Sequence, residues 1–276
     1  MYTLKQFLTD YPNDEACLEE ILRRKYSDWV CKCGRSKLYR VKGRPVYACA
    51  CGKQLNPLSG TPMANTKLSL TSWFYAMYLM SNKKNGLSAA ELQRHLGCKY
   101  KTAWRVCYQI RKAMEEDGIL EGEVEVDETY IRAKPWRTTR PLAYNGRAQT
   151  VIGLVERGGK AKTVVVPTSS KHFITRTVRE NVMEKSNLYT DGLYAYQTLN
   201  GKYKHQFVNH TKGEWIRDDV HTQNVENLWH GIKLGLQGTH KGVSPEYLPN
   251  YLNYFTWIYS NRFSDEPLFL RLLANL

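Results

Sequence analysis

The stretch Glu123-Val124-Glu125-Val126-Asp127-Glu128-Thr129-Tyr130-Ile131 decides the fold. It alternates apolar and polar residues, the period of a strand that turns one face to a core. Val124, Val126 and then Ile131 are its candidate inward positions. Residues 149–155, 162–166, 187–191 and 203–208 have the same character. Between the third and fourth of these five segments, about residues 171–184, the spacing turns helical, and from Thr222 onward the remainder is helical. Three strands, a helix, two strands and closing helices predict an α/β sheet with helices on its faces.

Within that frame three acids fall where a site can form. Asp127 lies near the end of the first strand, Asp191 ends the fourth, and Glu226 lies early in the helix that begins near Thr222. Acids at the ends of adjacent strands meet at one edge of a sheet, and a helix crossing there adds a third. Converging carboxylates suit hard divalent cations such as Mg²⁺. Two such ions about 4 Å apart can activate a nucleophile and stabilise the leaving oxygen of a phosphodiester. Glu128 would point to the opposite face of its strand. Glu125 shares the face of Asp127 and stands as a possible fourth acid. Asp218 and Asp219 are rivals for the third position, although they precede the helix.

Working outward, the chain has 276 residues and a formal charge of +14. That length gives about two domains as a prior, and the basic balance points to a polyanion, usually nucleic acid. A merely basic surface is the plainer alternative. Residues 1–117 hold 20 basic and 10 acidic residues, and no acid occurs between Asp28 and Glu91. The N-terminal part therefore reads as the polyanion-binding part. No apolar run approaches the roughly 18 residues of a membrane span, and the start lacks a charged-then-apolar signal pattern, so no membrane partner is expected.

Four of the seven cysteines form two tight pairs, Cys31-Lys-Cys33 and Cys49-Ala-Cys51, each followed by glycine. Zinc takes four soft ligands at tetrahedral corners, and two knuckles joined by a hairpin supply them. Residues 37–41 and 45–48 read as the hairpin strands, with Gly43 at the turn. The C-x-C spacing is tighter than the usual C-x-x-C. Seven basic residues, among them Arg35 and Arg40, sit on this small module. They would offer phosphates a cationic surface; a ribbon can equally be a protein-docking surface.

Residues 70–80 have the apolar spacing of a buried helix. Ser88 and Glu91 then make a capping box for a helix that ends at His95 or Leu96. After the turn Gly97-Cys98-Lys99, a second helix over about residues 101–116 turns Trp104, Val106, Cys107, Ile110 and Met114 inward. Its other side is expected to expose Lys99, Lys101, Arg105, Arg111 and Lys112. The pair reads as a helix-turn-helix or as an ordinary helical hairpin with a solvated face.

Together Asp127-Glu-Thr-Tyr130, Tyr189-Thr-Asp191-Gly192, His221-Thr-Gln-Asn224-Val-Glu226 with Trp229, and Lys233 resemble the DDE transposases of bacterial insertion sequences. More narrowly, with the cysteine module, the segment 73–111, Val208-Asn-His210, Gly213-Glu214, Val243-Ser-Pro245 and Tyr259-Ser-Asn-Arg262, the chain resembles the zinc-ribbon-bearing ISXO-two-like group over residues 17–263. Each motif is weak alone; their order and spacing are specific.

The resemblance implies a ribonuclease-H-like mixed sheet with flanking helices over residues 118–276. An N-terminal segment with a zinc ribbon (residues 1–56) and a helix-turn-helix-like DNA-binding module (57–117) would precede it. Asp127, Asp191 and Glu226 would be catalytic and hold Mg²⁺ or Mn²⁺, while Cys31, Cys33, Cys49 and Cys51 would hold Zn²⁺. Lys233, Lys99, Lys101, Arg105, Arg111, Arg35 and Arg40 would contact double-stranded DNA, both the element's terminal repeats and the target. Lys233 lies two helical turns after Glu226, on the same face; alone it would read as a solvated lysine. His221 belongs to the motif and would orient a phosphate or carboxylate, or cap the helix. The implied reaction is water-driven cleavage followed by attack of the freed 3′ hydroxyl on target DNA. A homo-oligomer on DNA, in the bacterial cytoplasm at the nucleoid, is implied by the same resemblance. A catalytically decayed DNA-binding regulator and a stand-alone nuclease of the same fold remain the rival readings.

Overall fold

The computed structural model describes residues 2–132, 148–199 and 201–275. Two compact units divide them. The first gathers residues 1–83, 89–113 and 264–276; the second holds residues 84–88 and 114–263.

In the first unit α1 (Leu4–Asp10) and α2 (Asp14–Lys25) open the chain. Thr3 and Gln6 close a capping box on α1, and the Asn13 side chain caps α2. Three short antiparallel strands follow, β1 (Leu38–Arg40), β2 (Tyr47–Cys49) and β3 (Gln54–Leu55). Gly43, at φ 74°, takes the left-handed turn between β1 and β2. Helix α3 (Leu70–Ser81) is apolar nearly all round, with Leu70, Trp73, Phe74, Met77 and Met80 buried. Helices α4 (Ala89–Leu96) and α5 (Tyr100–Ala113) pack on each other across a three-residue turn. The rings of Tyr2, Phe7, Tyr11 and Phe74 all meet Phe269, or a ring that touches it. Phe269 is on the last helix of the chain, residues 268–274, so the C-terminus packs into this N-terminal unit.

The second unit is built on a five-stranded mixed sheet. Its strands are β4 (Glu123–Ile131), β5 (Gln149–Glu156), β6 (Ala161–Val166), β7 (Asn187–Asp191) and β8 (Lys204–Val208), in the order β6-β5-β4-β7-β8. The first three pair antiparallel; β4, β7 and β8 run parallel. Helix α6 (Lys171–Asn181) carries the chain from β6 across to β7, the crossover that parallel pairing requires. Ile174 and Val178 on α6 pack against Val124, Val126, Ile152, Leu154 and Leu188, the even-numbered face of β4 and its neighbours. Helix α7 (Gln223–Gly238) covers the opposite face over β4 and β5, and α8 (Leu248–Ser260) packs on α7 and β6. The remaining helix, α9 (Leu268–Ala274), is the one that carries Phe269. Among the described residues no helix is long and apolar enough to cross a membrane.

Candidate functional site

Parallel pairing sets Glu125 of β4 opposite Tyr189 of β7. Two residues further along each strand, just past the last paired residues, come Asp127 and Asp191, near enough that the Asp191 charge acts on Asp127. Alternation puts Glu123, Glu125 and Asp127 on the face that α7 covers. The Tyr189 hydroxyl, donating to Glu123 Oε1 at 3.0 Å, places β7 on that face in the same phase. Glu128 points the other way, as expected, and accepts a 2.7 Å hydrogen bond from the buried Tyr196 hydroxyl. Helix α7 reaches back to the acids through Trp229, whose indole N–H donates to Asp127 Oδ2 at 3.0 Å. Gly153, the cross-strand partner of Asp127, makes room for that ring: any side chain there would collide with Trp229.

Glu125 does not join Asp127 as a fourth open acid. It is fully buried and accepts from the Asn224 backbone N–H (2.8 Å), the Val225 N–H (3.2 Å) and the Asn224 side-chain amide (2.7 Å). The two backbone groups are unpaired donors of the first turn of α7, where a negative charge is favoured. Arg157 Nε lies 2.8 Å from Glu125 Oε1 and its guanidinium stacks over the Tyr189 ring at 4.3 Å. His221 Nδ1 is 3.2 Å from the same carboxylate. His221 thus faces a carboxylate, that of Glu125. The cluster fixes where α7 starts, and so where Trp229 and Glu226 fall. Removing one member of a buried ion pair typically costs about 3–5 kcal/mol. Glu125→Ala is therefore expected to lower the stability of the second unit by that order and to move its urea midpoint down. An unchanged urea midpoint would refute the anchoring role.

Electrostatically the Asp127 carboxyl is under pressure. Burial pushes it from 3.8 up to about 7; the charges of Glu128 and Asp191 add to the shift, and the Trp229 N–H offsets part of it. A raised carboxyl favours the folded chain only while protonated. Metal-free protein should hold this contribution in full below pH 3.8 and lose it as the pH rises through about 7. A divalent cation reverses the preference by favouring the ionised form. Mg²⁺ is therefore expected to raise the thermal midpoint above about pH 7 and to do little near pH 4, with the difference absent in Asp127→Asn. An equal Mg²⁺ response in Asp127→Asn would argue against Asp127 as a ligand.

Glu226 is exposed on the first turn of α7, where Thr222 donates a 2.8 Å hydrogen bond to its Oε1. Asp191 Oδ1 accepts from the Leu193 N–H at 3.1 Å. The three carboxylates are not closed into one ligand set. Among the described residues, the only group of three or more His, Cys, Asp or Glu with all ligand atoms within 4.8 Å of one another is the cysteine quartet. The donors are nevertheless hard oxygens, and Asp127 with Asp191 is a like-charge pair, so both features suit a cation. Lys233, two turns beyond Glu226, is exposed and lines a recess with Arg132 and Lys241.

In the quartet, Cys31 and Cys51 lie 3.5 Å apart, as do Cys33 and Cys49. Tetrahedral sulfurs about 2.3 Å from zinc would be about 3.8 Å apart. The two knuckles repeat one another. Cys31 N–H donates to Arg35 O and Gly34 N–H to Cys31 O; Cys49 N–H donates to Lys53 O and Gly52 N–H to Cys49 O. Gly34 and Gly52 both take positive φ, at 81° and 85°. The Lys53 N–H, followed by the neighbouring thiols, lowers the Cys51 thiol to about 7. This set can hold zinc despite its short C-x-C spacing.

The basic residues divide. Lys99, Lys101, Arg105 and Arg35 are exposed. Arg40 is exposed too, but its guanidinium is engaged by Glu15 at 2.5 Å and by the carbonyls of the β1–β2 turn. Arg111 corrects the sequence reading: it is 2% exposed, not on the open side of α5. It follows Cys107 by one helical turn, on the stripe of Ala103, Val106, Cys107 and Ile110 that faces inward. Arg157, the partner of Glu125, was missed. It follows β5 directly, and nothing in its neighbourhood marks a contact 32 residues away.

Residues 119–260 match the family model of the ISXO2-like transposase domain. The chain is 29% identical over 236 residues to a Halobacterium salinarum protein described as "Uncharacterized protein in transposable element ISH50". That alignment covers 79% of this chain and 78% of the relative. Among solved structures, a chain from the simian T-cell lymphotropic virus intasome in complex with PP2A regulatory subunit B56 gamma aligns at 13% identity and a TM-score of 0.33. It covers 66% of this chain and 67% of that one, and at that score the likeness carries no inference.

Proposed function

Because the chain belongs to the ISXO2-like transposase family, we propose that it cuts DNA at the ends of a transposable element and joins the freed ends to target DNA. The observation that carries this reading is the placing of Asp127 beside Asp191 on neighbouring parallel strands, under the helix that bears Glu226. In this reading the sheet is the ribonuclease-H-like catalytic core. Asp127, Asp191 and Glu226 hold Mg²⁺ or Mn²⁺. Bound there, the divalent ions supply activation of the attacking oxygen and charge relief at the leaving oxygen.

The chain's own residues do the positioning. Trp229 fixes one oxygen of Asp127, Leu193 N–H orients Asp191, and Thr222 orients Glu226. Lys233 presents a cation to a DNA phosphate on the same side of α7 as Glu226. Exposed Lys99, Lys101, Arg105 and Arg35 of the basic first unit grip the element's terminal repeats, and the cysteine quartet holds zinc to shape part of that surface. Two element ends must be brought together, which calls for more than one copy on the DNA.

The test uses DNA carrying the element's ends. Purified protein with Mg²⁺ should release a free 3′ end and then yield a product joined to a second DNA. Cutting without joining would assign a nuclease instead, and binding without either would assign a regulator.

A further inference from the structure

The carboxyl ends of β7 and β8 carry an aromatic ring that the core does not use. Val208 pairs with Asp191, the last residues of the two strands. The residues that follow also meet: a side-chain carbon on Gly192 would lie 3.5 Å from Asn209 Cγ. The turn after Asn209 therefore rises from the sheet end beside Asp191.

That turn is held firmly. Asn209 Oδ1 accepts from the N–H groups of Thr211 and Lys212, and the Asn209 N–H donates to the Glu214 carboxylate at 3.1 Å. Arg217 donates to Phe207 O at 2.6 Å and pairs by backbone with Val220. On this frame Trp215 is 59% exposed. The His210 ring stacks on it, with centroids 4.5 Å apart and 28° between the planes. One indole face is thus backed by a ring and the rest is left to solvent. Tyr194, three residues after Asp191, is 73% exposed.

A large ring fixed in place and left wet calls for a flat partner. Arg217 is held by Glu214 at 3.5 Å and by Phe207 O, so the exposed Lys212 is the cation this turn offers beside Trp215. A nucleotide suits this: its base stacks on aromatic rings whatever its sequence, and Lys212 can meet its phosphate. Bases within a duplex have both faces covered, so only an unpaired or displaced base offers one. We propose that Trp215, backed by His210, is a stacking platform for an unpaired base of the DNA strand whose end lies at Asp127 and Asp191. This rests on the reading of the chain as a DNA-cutting enzyme.

The test compares two DNAs in the full chain carrying Asp127→Asn, so that neither is cut. One is a blunt duplex, and the other is the same duplex with an unpaired overhang containing the fluorescent base aminopurine. Trp215→Ala is expected to weaken overhang binding about tenfold and leave duplex binding unchanged, while Trp215→Phe retains most of the affinity. Aminopurine fluorescence should be quenched by the chain with Trp215 and not by Trp215→Ala. Equal affinity of Trp215→Ala and its parent for overhang DNA, or quenching that persists in Trp215→Ala, would overturn the platform and leave the DNA reading intact. Failure of every variant to bind either DNA would overturn both.

Discussion

Asp127→Asn is expected to abolish DNA cutting and joining while DNA binding persists. Asparagine keeps the shape of the side chain and an oxygen to accept the Trp229 N–H, now 3.0 Å from Asp127 Oδ2. It removes the charge that a divalent cation would need. The fold should not suffer, because the carboxyl that burial and its neighbours push to about 7 is replaced by a neutral group. Metal-free Asp127→Asn should be at least as stable as the parent above that pH. Catalysis should fall by about a thousandfold or more, since activation of the attacking oxygen and charge relief at the leaving oxygen are lost together. Single-turnover assays on element-end DNA with Mg²⁺ measure this directly. Asp191→Asn should behave alike, and so should Glu226→Gln. Cutting retained in Asp127→Asn would remove these acids from the chemistry.

Loss of zinc should unfold the ribbon and spare the second unit. Strands β1, β2 and β3 contain three, three and two residues. Beside the cysteines, the apolar side chains buried here are few: Val46, Tyr47 and Leu55. So small a core does not offset the conformational entropy of ordering the segment. Structural zinc contributes on the order of 10–16 kcal/mol in comparable small modules. The parent chain is expected to hold about one zinc, and Cys49→Ser/Cys51→Ser to hold none. Hydrogen exchange should then accelerate over residues 31–55 while the sheet of β4 to β8 stays protected. Unchanged zinc content in the double variant, by elemental analysis, would refute the site. So would an unaltered exchange pattern.

Much of the second unit could be read along the chain. The alternation of 123–131 and the short acid-ended segment 187–191 are local patterns, and both appear as strands with those bounds. The two cysteine pairs announce themselves by spacing, and their sulfurs converge. Helix α6 stops at Asn181, three residues before the expected end, because Val182 turns extended and bridges to Leu120. That is a tertiary pairing and leaves no local trace. Arg111 went astray for a related reason. Charge suggested the open side of α5, while its place on the helical stripe beside Cys107 put it inside.

Sequence by itself determined the strand and helix periods, the cysteine knuckles, and Asp127 and Glu128 pointing to opposite faces. These follow from repeat lengths of two and 3.6 residues, which neighbours along the chain express. Only the tertiary structure decided what Glu125 is for. Along the strand it is the equal of Asp127, on the same face two residues away. In the fold it lies under the first turn of α7, where free N–H groups and Arg157 converge on it from 32 to 100 residues away. One carboxylate is consumed in anchoring the helix, and the other is left near Asp191 with the Trp229 N–H on one oxygen. Packing across the sheet makes that distinction, and no local pattern encodes it.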